Sequence, residues 1–374
     1  MKVGFYGHIR QYHNLKDEIE KNIQEVLESG KYVQGPMLSK YEKELSEYFG
    51  SKYAIGVNSG TDAIWLSLLA LGIGKGDECI TTTNTFFATA EAIWITGATA
   101  VFVDSDPQTH CIDPSKIEAA ITPKTKVLIP VHLYGQCADM KSIWEIAKKH
   151  NLLVIEDNAQ GIDGRGKDFI QGEKSNAVTI SFIAQKNLGT FGDAGAVLTD
   201  DEEINNTVRK LRNHGSNKRS HHSPGFNSRL DDLHAGVLST KLKHITEWTN
   251  TRIEIARKYS DSLKDAKNII LPYTNPGYRH VFHLYVIHTK DPNDRDDLLK
   301  HLNDNQIDAK THYPIAIHQQ EGYPWNKEAR IVGRLENSEW NAARCISLPM
   351  YPELLAEEIN YVIDKVLEWD NSKS

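Results

Sequence analysis

The sequence predicts an α/β protein with a mostly parallel central sheet, helices on both faces, and a smaller α+β domain at the C-terminal end. Strand-like and helix-like segments alternate between residues 52 and 182, which is typical of parallel strands joined by helices. The strand-like runs are mostly continuous apolar stretches, as in strands covered on both faces. Because the chain has 374 residues, more than one core usually supports, we expect two domains.

Local spacing predicts each element of the first half of the chain. Apolar residues at helical intervals predict helices at 15–29, 38–48, 60–71, 86–96, 114–121 and 139–150. Short runs rich in apolar and β-branched residues predict strands at 52–57, 78–82, 98–103, 127–131, 152–156 and 177–182. A further strand, predicted to be antiparallel, follows at 194–199.

The pattern changes near residue 230. An apolar stripe predicts one long helix from Leu230 to about Leu263, and later segments predict a strand at 282–287 and helices at 295–304 and 352–369. We therefore predict a large α/β domain over residues 1–245 and a small α+β domain over residues 246–374.

Composition argues against several classes of protein. The net charge is −7, whereas nucleic-acid binders normally carry a basic surplus. The four cysteines lie far apart without a Cys-x-x-Cys pair, which fits a reducing cytoplasm and argues against a thiolate zinc site. The sequence shows neither the apolar stretch of a signal peptide nor a transmembrane span. We therefore expect a cytoplasmic protein that binds no metal, nucleic acid or membrane.

Lys186 follows the predicted strand at 177–182. A lysine placed where a buried strand ends can be partly desolvated, which lowers the pKa of its amine and makes it nucleophilic enough for Schiff-base chemistry. Most lysines are solvated surface charges, and position alone favours that alternative. The other strand ends are needed to decide between the two.

Three of those strand ends carry suitable residues. Gly60 and Thr61 open a helix whose free N–H groups suit a phosphate, although an ordinary capped helix is the alternative. Asp157 ends a buried strand and needs a cationic partner such as a protonated pyridine nitrogen; a helix cap or metal ligand is the alternative. Phe86 can stack on a flat ring or belong to the core. With Lys186, these residues are the parts of a pyridoxal phosphate (PLP) site.

Ordered motifs cover nearly the whole chain, at 32–36, 59–63, 84–86, 130–136, 156–160, 181–189, 212–215, 225–231, 312–315 and 347–350. Through these motifs the chain resembles the DegT/DnrJ/EryC1/StrS family of PLP-dependent sugar aminotransferases, which are fold type I enzymes. The resemblance implies a large domain like that of aspartate aminotransferase and PLP as the cofactor.

The resemblance also implies roles for individual residues. Lys186 would hold PLP as a Schiff base, and Asp157 would pair with the pyridinium nitrogen. Gln160 would lie against one face of the ring and Phe86 against the other. The phosphate would be bound by Gly60, Thr61 and Ser181.

A second subunit is implied by the same resemblance. Asn227, with Arg229 beside it, would reach the phosphate of the cofactor in the neighbouring subunit. This arrangement requires a homodimer with shared active sites, and two-fold dimers are the commonest symmetric assembly. Without the resemblance, the residue types at 225–228 predict only an ordinary polar turn.

The expected reaction moves an amino group from glutamate to a nucleotide-linked keto-deoxysugar. The stretch 186–193 resembles relatives that aminate C-3, so the expected substrate is a dTDP-3-keto-6-deoxyhexose. Amination at C-4 of a UDP-, GDP- or dTDP-linked sugar is the nearest competing reaction. The chain could also be a PLP-dependent dehydratase or lyase, or a non-catalytic regulator.

Two further groups of residues are candidates for contacts with the substrate. Lys218 and Arg219 could bind the diphosphate, although a solvated charged loop is an equal alternative. His312, Tyr313 and His318 could line the sugar pocket, and a packed turn is their alternative.

Overall fold

The protein is built around a central sheet of eight strands. The structure is a computed structural model that describes residues 1–217, 220–323 and 329–373. The strands of the central sheet are β1 (Tyr53–Val57), β2 (Glu78–Thr82), β3 (Thr99–Val103), β4 (Thr125–Leu128), β5 (Leu153–Asp157), β6 (Ala177–Ser181), β7 (Gly195–Thr199) and β12 (Ala329–Ile331). There are two smaller sheets among the described residues. One has two strands, β8 (Ser216–Asn217) and β9 (Ser220–His221). The other has three strands, β10 (Ile269–Ile270), β11 (Tyr285–Thr289) and β13 (Cys345–Leu348).

The order of strands in the central sheet is β1-β7-β6-β5-β4-β2-β3-β12. The six strands from β6 to β12 pair in parallel, whereas β7 is antiparallel to both of its neighbours. Consequently β1 runs in the same direction as the parallel strands. The segments that follow β1, β2, β4, β5 and β6 therefore meet at one edge of the sheet, where ligands bind in folds of this kind. The predicted antiparallel direction of β7 is confirmed.

Helices cover both faces of this sheet, which confirms the predicted fold class. On one face lie α3 (Gly60–Ala70), α4 (Ala88–Ile95) and α6 (Glu202–Leu211). On the other lie α1 (His8–Ser29), α2 (Pro36–Phe49), α5 (Met140–His150) and α7 (Asp232–Leu242). Strand residues alternate between the two cores, since Ile55 packs with the first group and Ala54 with the second.

The C-terminal part has its own apolar core around the three-stranded sheet of β10, β11 and β13. The helices α8 (Ile245–Leu263), α9 (Arg295–Asp304) and α11 (Ala356–Ser372) pack on this sheet, and α10 (Glu336–Arg344) leads into β13. Tyr259, Tyr285 and Val362 are fully buried there. The helices of the described residues are all too short or too polar to span a lipid bilayer.

One predicted helix, at 114–121, is wrong in type. The segment forms two 3₁₀ turns, Pro114–Lys116 and Glu118–Ala120. Its buried apolar residues, Ile117 and Ala120, are three positions apart, a spacing that suits a 3₁₀ helix as well as an α-helix.

The long helix predicted from Leu230 to Leu263 is also wrong, because it is two helices. The first, α7, ends at Leu242 and the second, α8, begins at Ile245, with a turn between them. Both of these residues are buried, so the apolar stripe continues across the break. Apolar spacing alone therefore did not reveal the interruption.

The division into domains at residue 246 stays a prediction. Backbone pairing crosses it at several places: for example, Val3 forms a parallel bridge with Ile307, and β12 pairs with β3 at the edge of the central sheet. Backbone hydrogen bonds therefore link the two predicted domains.

Candidate active site

A cavity of about 380 Å³ opens at the carboxyl edge of the central sheet. Predicted cofactor residues that line it are Gly60, Thr61, Phe86, Asp157, Gln160, Ser181 and Lys186. Two of the predicted substrate residues, His312 and Tyr313, line it as well. The structure therefore brings together residues that follow β1, β2, β5 and β6 with two from the C-terminal part.

Lys186 lies in the turn that follows β6, where its N–H donates to the carbonyl oxygen of Ile183 at 2.9 Å. Its side chain is half-buried and lines the cavity. Burial lowers the pKa of Lys186 from 10.5 to about 8, and the nearby carboxylate of Asp157 limits the decrease. At neutral pH the amine is therefore much easier to deprotonate than that of an exposed lysine.

Asp157 is the last residue of β5 and is 4% exposed. The hydroxyl of Thr89 donates to its Oδ2 at 2.8 Å, and the N–H of Ala159 donates to its Oδ1 at 3.1 Å. Burial raises the pKa of Asp157, while these two hydrogen bonds and the charge of Lys186 oppose that increase. A cation placed against this carboxylate would offset the cost of burying it.

The N-terminus of α3 meets the end of β6 beside the cavity. Ser59 caps the helix by accepting a hydrogen bond from the N–H of Asp62 at 3.0 Å. The first N–H groups of a helix have no partner within the helix, so those of Gly60 and Thr61 are available to an anion. A Cβ atom on Gly60 would lie 2.6 Å from the Cβ atom of Ser181. Only glycine therefore lets these two segments approach so closely.

A substitution of Gly60 by alanine is expected to weaken PLP binding at least about tenfold, because Ser181 must move to accommodate the methyl group. Overpacking of this kind also destabilises a fold by about 1–3 kcal/mol. Titration of the cofactor-free variant with PLP and urea unfolding measure the two effects. Gly74→Ala is the control, since its new methyl would meet its nearest neighbour, the carbonyl of Thr96, at 3.6 Å. Unchanged PLP affinity in the Gly60 variant would contradict the expectation.

The amide of Gln160 is held at both of its ends. Its Oε1 accepts from the N–H of Tyr134 at 2.7 Å, and its Nε2 donates to the hydroxyl of Tyr313 at 3.0 Å. The hydroxyl of Tyr134 donates to the carbonyl oxygen of His312 and accepts from Asn341 at 2.9 Å. These bonds fix one wall of the cavity and join the large sheet to the C-terminal part.

His283 also lines the cavity, although no motif in the sequence pointed to it. The Nδ2 of Asn187 donates to the carbonyl oxygen of Val281, which fixes the orientation of the amide. The other end of the amide, Oδ1, can only accept a hydrogen bond, and it lies 3.2 Å from Nδ1 of His283. That nitrogen therefore carries the ring proton. Burial and the charge of Lys186 lower the pKa of His283 well below its ordinary value, so the imidazole is neutral.

Three predicted site residues that the structure describes, His318, Asn227 and Arg229, do not line this cavity within their own chain. His318 lies 2.9 Å from Glu339 and is not among the residues that line the cavity. Asn227 is exposed, and Arg229 donates to Asn213 at 3.1 Å. Lys218 and Arg219 lie outside the described residues.

No group of three or more His, Cys, Asp or Glu side chains that could hold a metal ion occurs within the ranges that the structure describes. The donor set of the cavity consists instead of an amine, a buried carboxylate, helix N–H groups, hydroxyls and aromatic rings. This set suits a flat, phosphorylated ligand with a basic ring nitrogen.

Comparison with known proteins gives consistent matches over nearly the whole chain. The model of the DegT/DnrJ/EryC1/StrS aminotransferase family matches residues 13–367. A pleiotropic regulatory protein of Geobacillus stearothermophilus is 43% identical, over 99% of this chain and 99% of its own. The dTDP-3-amino-3,4,6-trideoxy-alpha-D-glucose transaminase of Streptomyces venezuelae is 42% identical, over 98% of this chain and 96% of its own.

A solved structure also matches nearly the whole chain. The crystal structure of S. venezuelae DesV in complex with a ketimine intermediate has a TM-score of 0.94 and 41% identity, and the match covers 99% of this chain and 98% of that chain. The chain belongs to the DegT/DnrJ/EryC1/StrS family of PLP-dependent sugar aminotransferases, and PLP is its cofactor.

Proposed function

We propose that the protein transfers an amino group from glutamate to the keto group of a nucleotide-linked deoxysugar, and that a dTDP-3-keto-6-deoxyhexose is the acceptor. The observation that carries the proposal is the amine of Lys186, with a pKa of about 8, in one cavity with the buried carboxylate of Asp157. The name of the Streptomyces venezuelae relative supports amination at C-3 of a dTDP-linked sugar.

In this proposal each cavity residue has a separate task. Lys186 would attach the cofactor, and its free amine would then carry a proton between two carbon atoms. Asp157 keeps the ring nitrogen protonated, and the N–H groups at the start of α3, with Ser181, bind the phosphate. Phe86 and Gln160 hold the two faces of the ring. When bound, PLP would supply an electron sink for the negative charge that develops during proton transfer.

The lowered pKa of Lys186 suits this proton transfer. With a pKa of about 8, about one tenth of the free amine is neutral at pH 7, far more than for an exposed lysine. A neutral amine can accept a proton, and the ammonium it becomes can return it. A general base works best when its pKa lies near the operating pH.

The proposed active unit is a homodimer. Asn227, which is exposed, and Arg229, which is half-buried, lie outside the cavity of their own chain, and in the proposal they reach the phosphate of the partner's cofactor. Lys218 and Arg219 precede this segment and are proposed to contact the diphosphate of the sugar nucleotide. His312 and Tyr313 are proposed to contact the sugar itself.

An absorbance scan tests the attachment of the cofactor. The protein with PLP is expected to absorb in the visible region, and borohydride is expected to bleach this band and fix the cofactor to one peptide. Mass spectrometry should locate the added mass on Lys186. A protein that stays colourless with added PLP, or a label on another lysine, would exclude the proposed attachment.

A substrate panel tests the acceptor. With glutamate as donor, kcat/KM should be highest for the dTDP-linked 3-keto-6-deoxyhexose among 3-keto and 4-keto sugars linked to dTDP, UDP or GDP. A clear preference for a 4-keto sugar would favour amination at C-4 instead. Absence of turnover with every sugar, despite a normal PLP spectrum, would favour a regulatory role such as the name of the Geobacillus stearothermophilus relative suggests.

A further inference from the structure

Two donors from different parts of the fold hold the carboxylate of Asp157. The N–H of Ala159 belongs to the turn that directly follows β5, so its 3.1 Å contact with Oδ1 is local. The hydroxyl of Thr89 comes from the first turn of α4 and donates to Oδ2 at 2.8 Å. This second contact is not local and depends on how α4 packs over the end of the sheet.

A second hydroxyl extends this contact into a chain. Thr85 Oγ1 lies 3.3 Å from Thr89 Oγ1, and either oxygen could donate to the other. An ionised carboxylate only accepts hydrogen bonds, so Thr89 gives its single hydroxyl proton to Asp157. Thr85 then donates to Thr89, and both bonds point toward the carboxylate. Aligned hydrogen bonds of this kind strengthen one another, and all three side chains are buried.

We propose that Thr89, supported by Thr85, is a positioning residue that holds the ionised carboxylate of Asp157 against the ring nitrogen of PLP. This inference rests on the role proposed above for Asp157 and adds that the role depends on a hydroxyl of α4. It also explains why a threonine, rather than a purely apolar residue, lies at 1% exposure in that helix.

The physical reason lies in the balance that sets the charge of Asp157. Burial favours the neutral acid, and the hydrogen bond from Thr89 is the strongest of the contacts that favour the carboxylate. Without this hydroxyl the pKa of Asp157 rises further, so a larger fraction of the acid is protonated. A protonated acid cannot form an ion pair with a pyridinium. The loss of PLP affinity should therefore grow as the pH falls and more of the acid becomes protonated.

The experiment compares two ligands on the cofactor-free, full-length protein. One is PLP, and the other is its 1-deaza analogue, in which a carbon atom replaces the ring nitrogen. Thr89→Val removes the hydroxyl but keeps the shape of the side chain. It is expected to weaken PLP binding about tenfold, the usual effect of losing a hydrogen bond to a charged group. The affinity for the deaza analogue should change less than about twofold, and the loss for PLP should be larger at pH 6 than at pH 8.

Two variants serve as controls. Thr89→Ser keeps the hydroxyl and should restore most of the PLP affinity. Thr83→Val removes another buried hydroxyl of the same segment, one that has no hydrogen-bond partner among the described residues. That variant should bind both ligands as the wild type does.

The outcomes separate this inference from the role of Asp157 itself. Asp157→Asn should weaken PLP binding much more than binding of the deaza analogue. If it does so while Thr89→Val weakens both ligands equally, or neither, Thr89 only fills space and the inference is overturned. If Asp157→Asn does not distinguish the two ligands, the proposed role of Asp157 fails and the inference fails with it.

Discussion

Replacing Lys186 with alanine is expected to reduce glutamate-dependent transamination at least about 1000-fold. The substitution removes both the amine that attaches the cofactor and the only side chain proposed to move the proton, and general acid–base groups contribute about 100- to 10,000-fold. PLP should still bind through its phosphate, its ring nitrogen and its ring faces. The measurement is a single turnover with glutamate, followed through the absorbance of the cofactor.

The control for this experiment is Lys141→Ala. Lys141 is an exposed lysine in α5 that is paired with Asp168 at 3.0 Å and does not line the cavity. Its variant should retain the wild-type rate and spectrum. If the Lys186 variant turned over glutamate within about tenfold of the wild type, another group would have to move the proton, and the proposed mechanism would be wrong.

The position of the site was predictable because it follows from sheet topology. Gly60, Phe86, Asp157 and Lys186 each follow or end a predicted strand, and parallel strands bring their carboxyl ends to one edge. Strand–helix alternation was therefore enough to predict that these residues meet. Their chemistry, an amine, an acid, an aromatic ring and a phosphate cradle, then indicated the cofactor.

Other parts of the site could not be predicted from spacing, because they depend on tertiary contacts. Thr89 contacts Asp157 only because the first turn of α4 lies beside the end of β5, and His283 reaches the cavity from the C-terminal part of the chain. His318 shows the opposite case, since its neighbours in the sequence line the cavity but its own ring turns to Glu339. Residues near one another in sequence need not share a site.

The same limit applies to the fold. The short elements β10 and β12 have two and three residues, too few for a recognisable pattern, and β12 completes the central sheet only by packing against a distant strand. The strand β13 follows α10 without a turn residue between them. Local patterns therefore predicted most of the longer elements, although not the break between α7 and α8, and missed the short strands β10 and β12.

A variant that loses activity should nevertheless gain stability. In the cofactor-free protein, Lys186→Met is expected to raise the free energy of unfolding at pH 7 by about 1–3 kcal/mol. The reason is that the folded wild type holds the ammonium of Lys186 in surroundings that lower its pKa to about 8, whereas the unfolded chain keeps the ordinary value near 10.5. Below pH 8 both states are protonated, and the folded state bears the full penalty of burying the charge.

This gain should depend on pH in a defined direction. Between pH 8 and pH 10.5 the unfolded wild type binds a proton that the folded wild type does not, so the wild type becomes more stable as the pH rises. The advantage of the methionine variant should therefore shrink over that interval and vanish above it. Urea unfolding at several pH values measures the difference, and Lys43→Met, whose lysine side chain is 76% exposed, is the control. A constant difference from pH 6 to pH 10 would mean that the gain comes from apolar packing, and that Lys186 is not the desolvated amine on which the proposed chemistry depends.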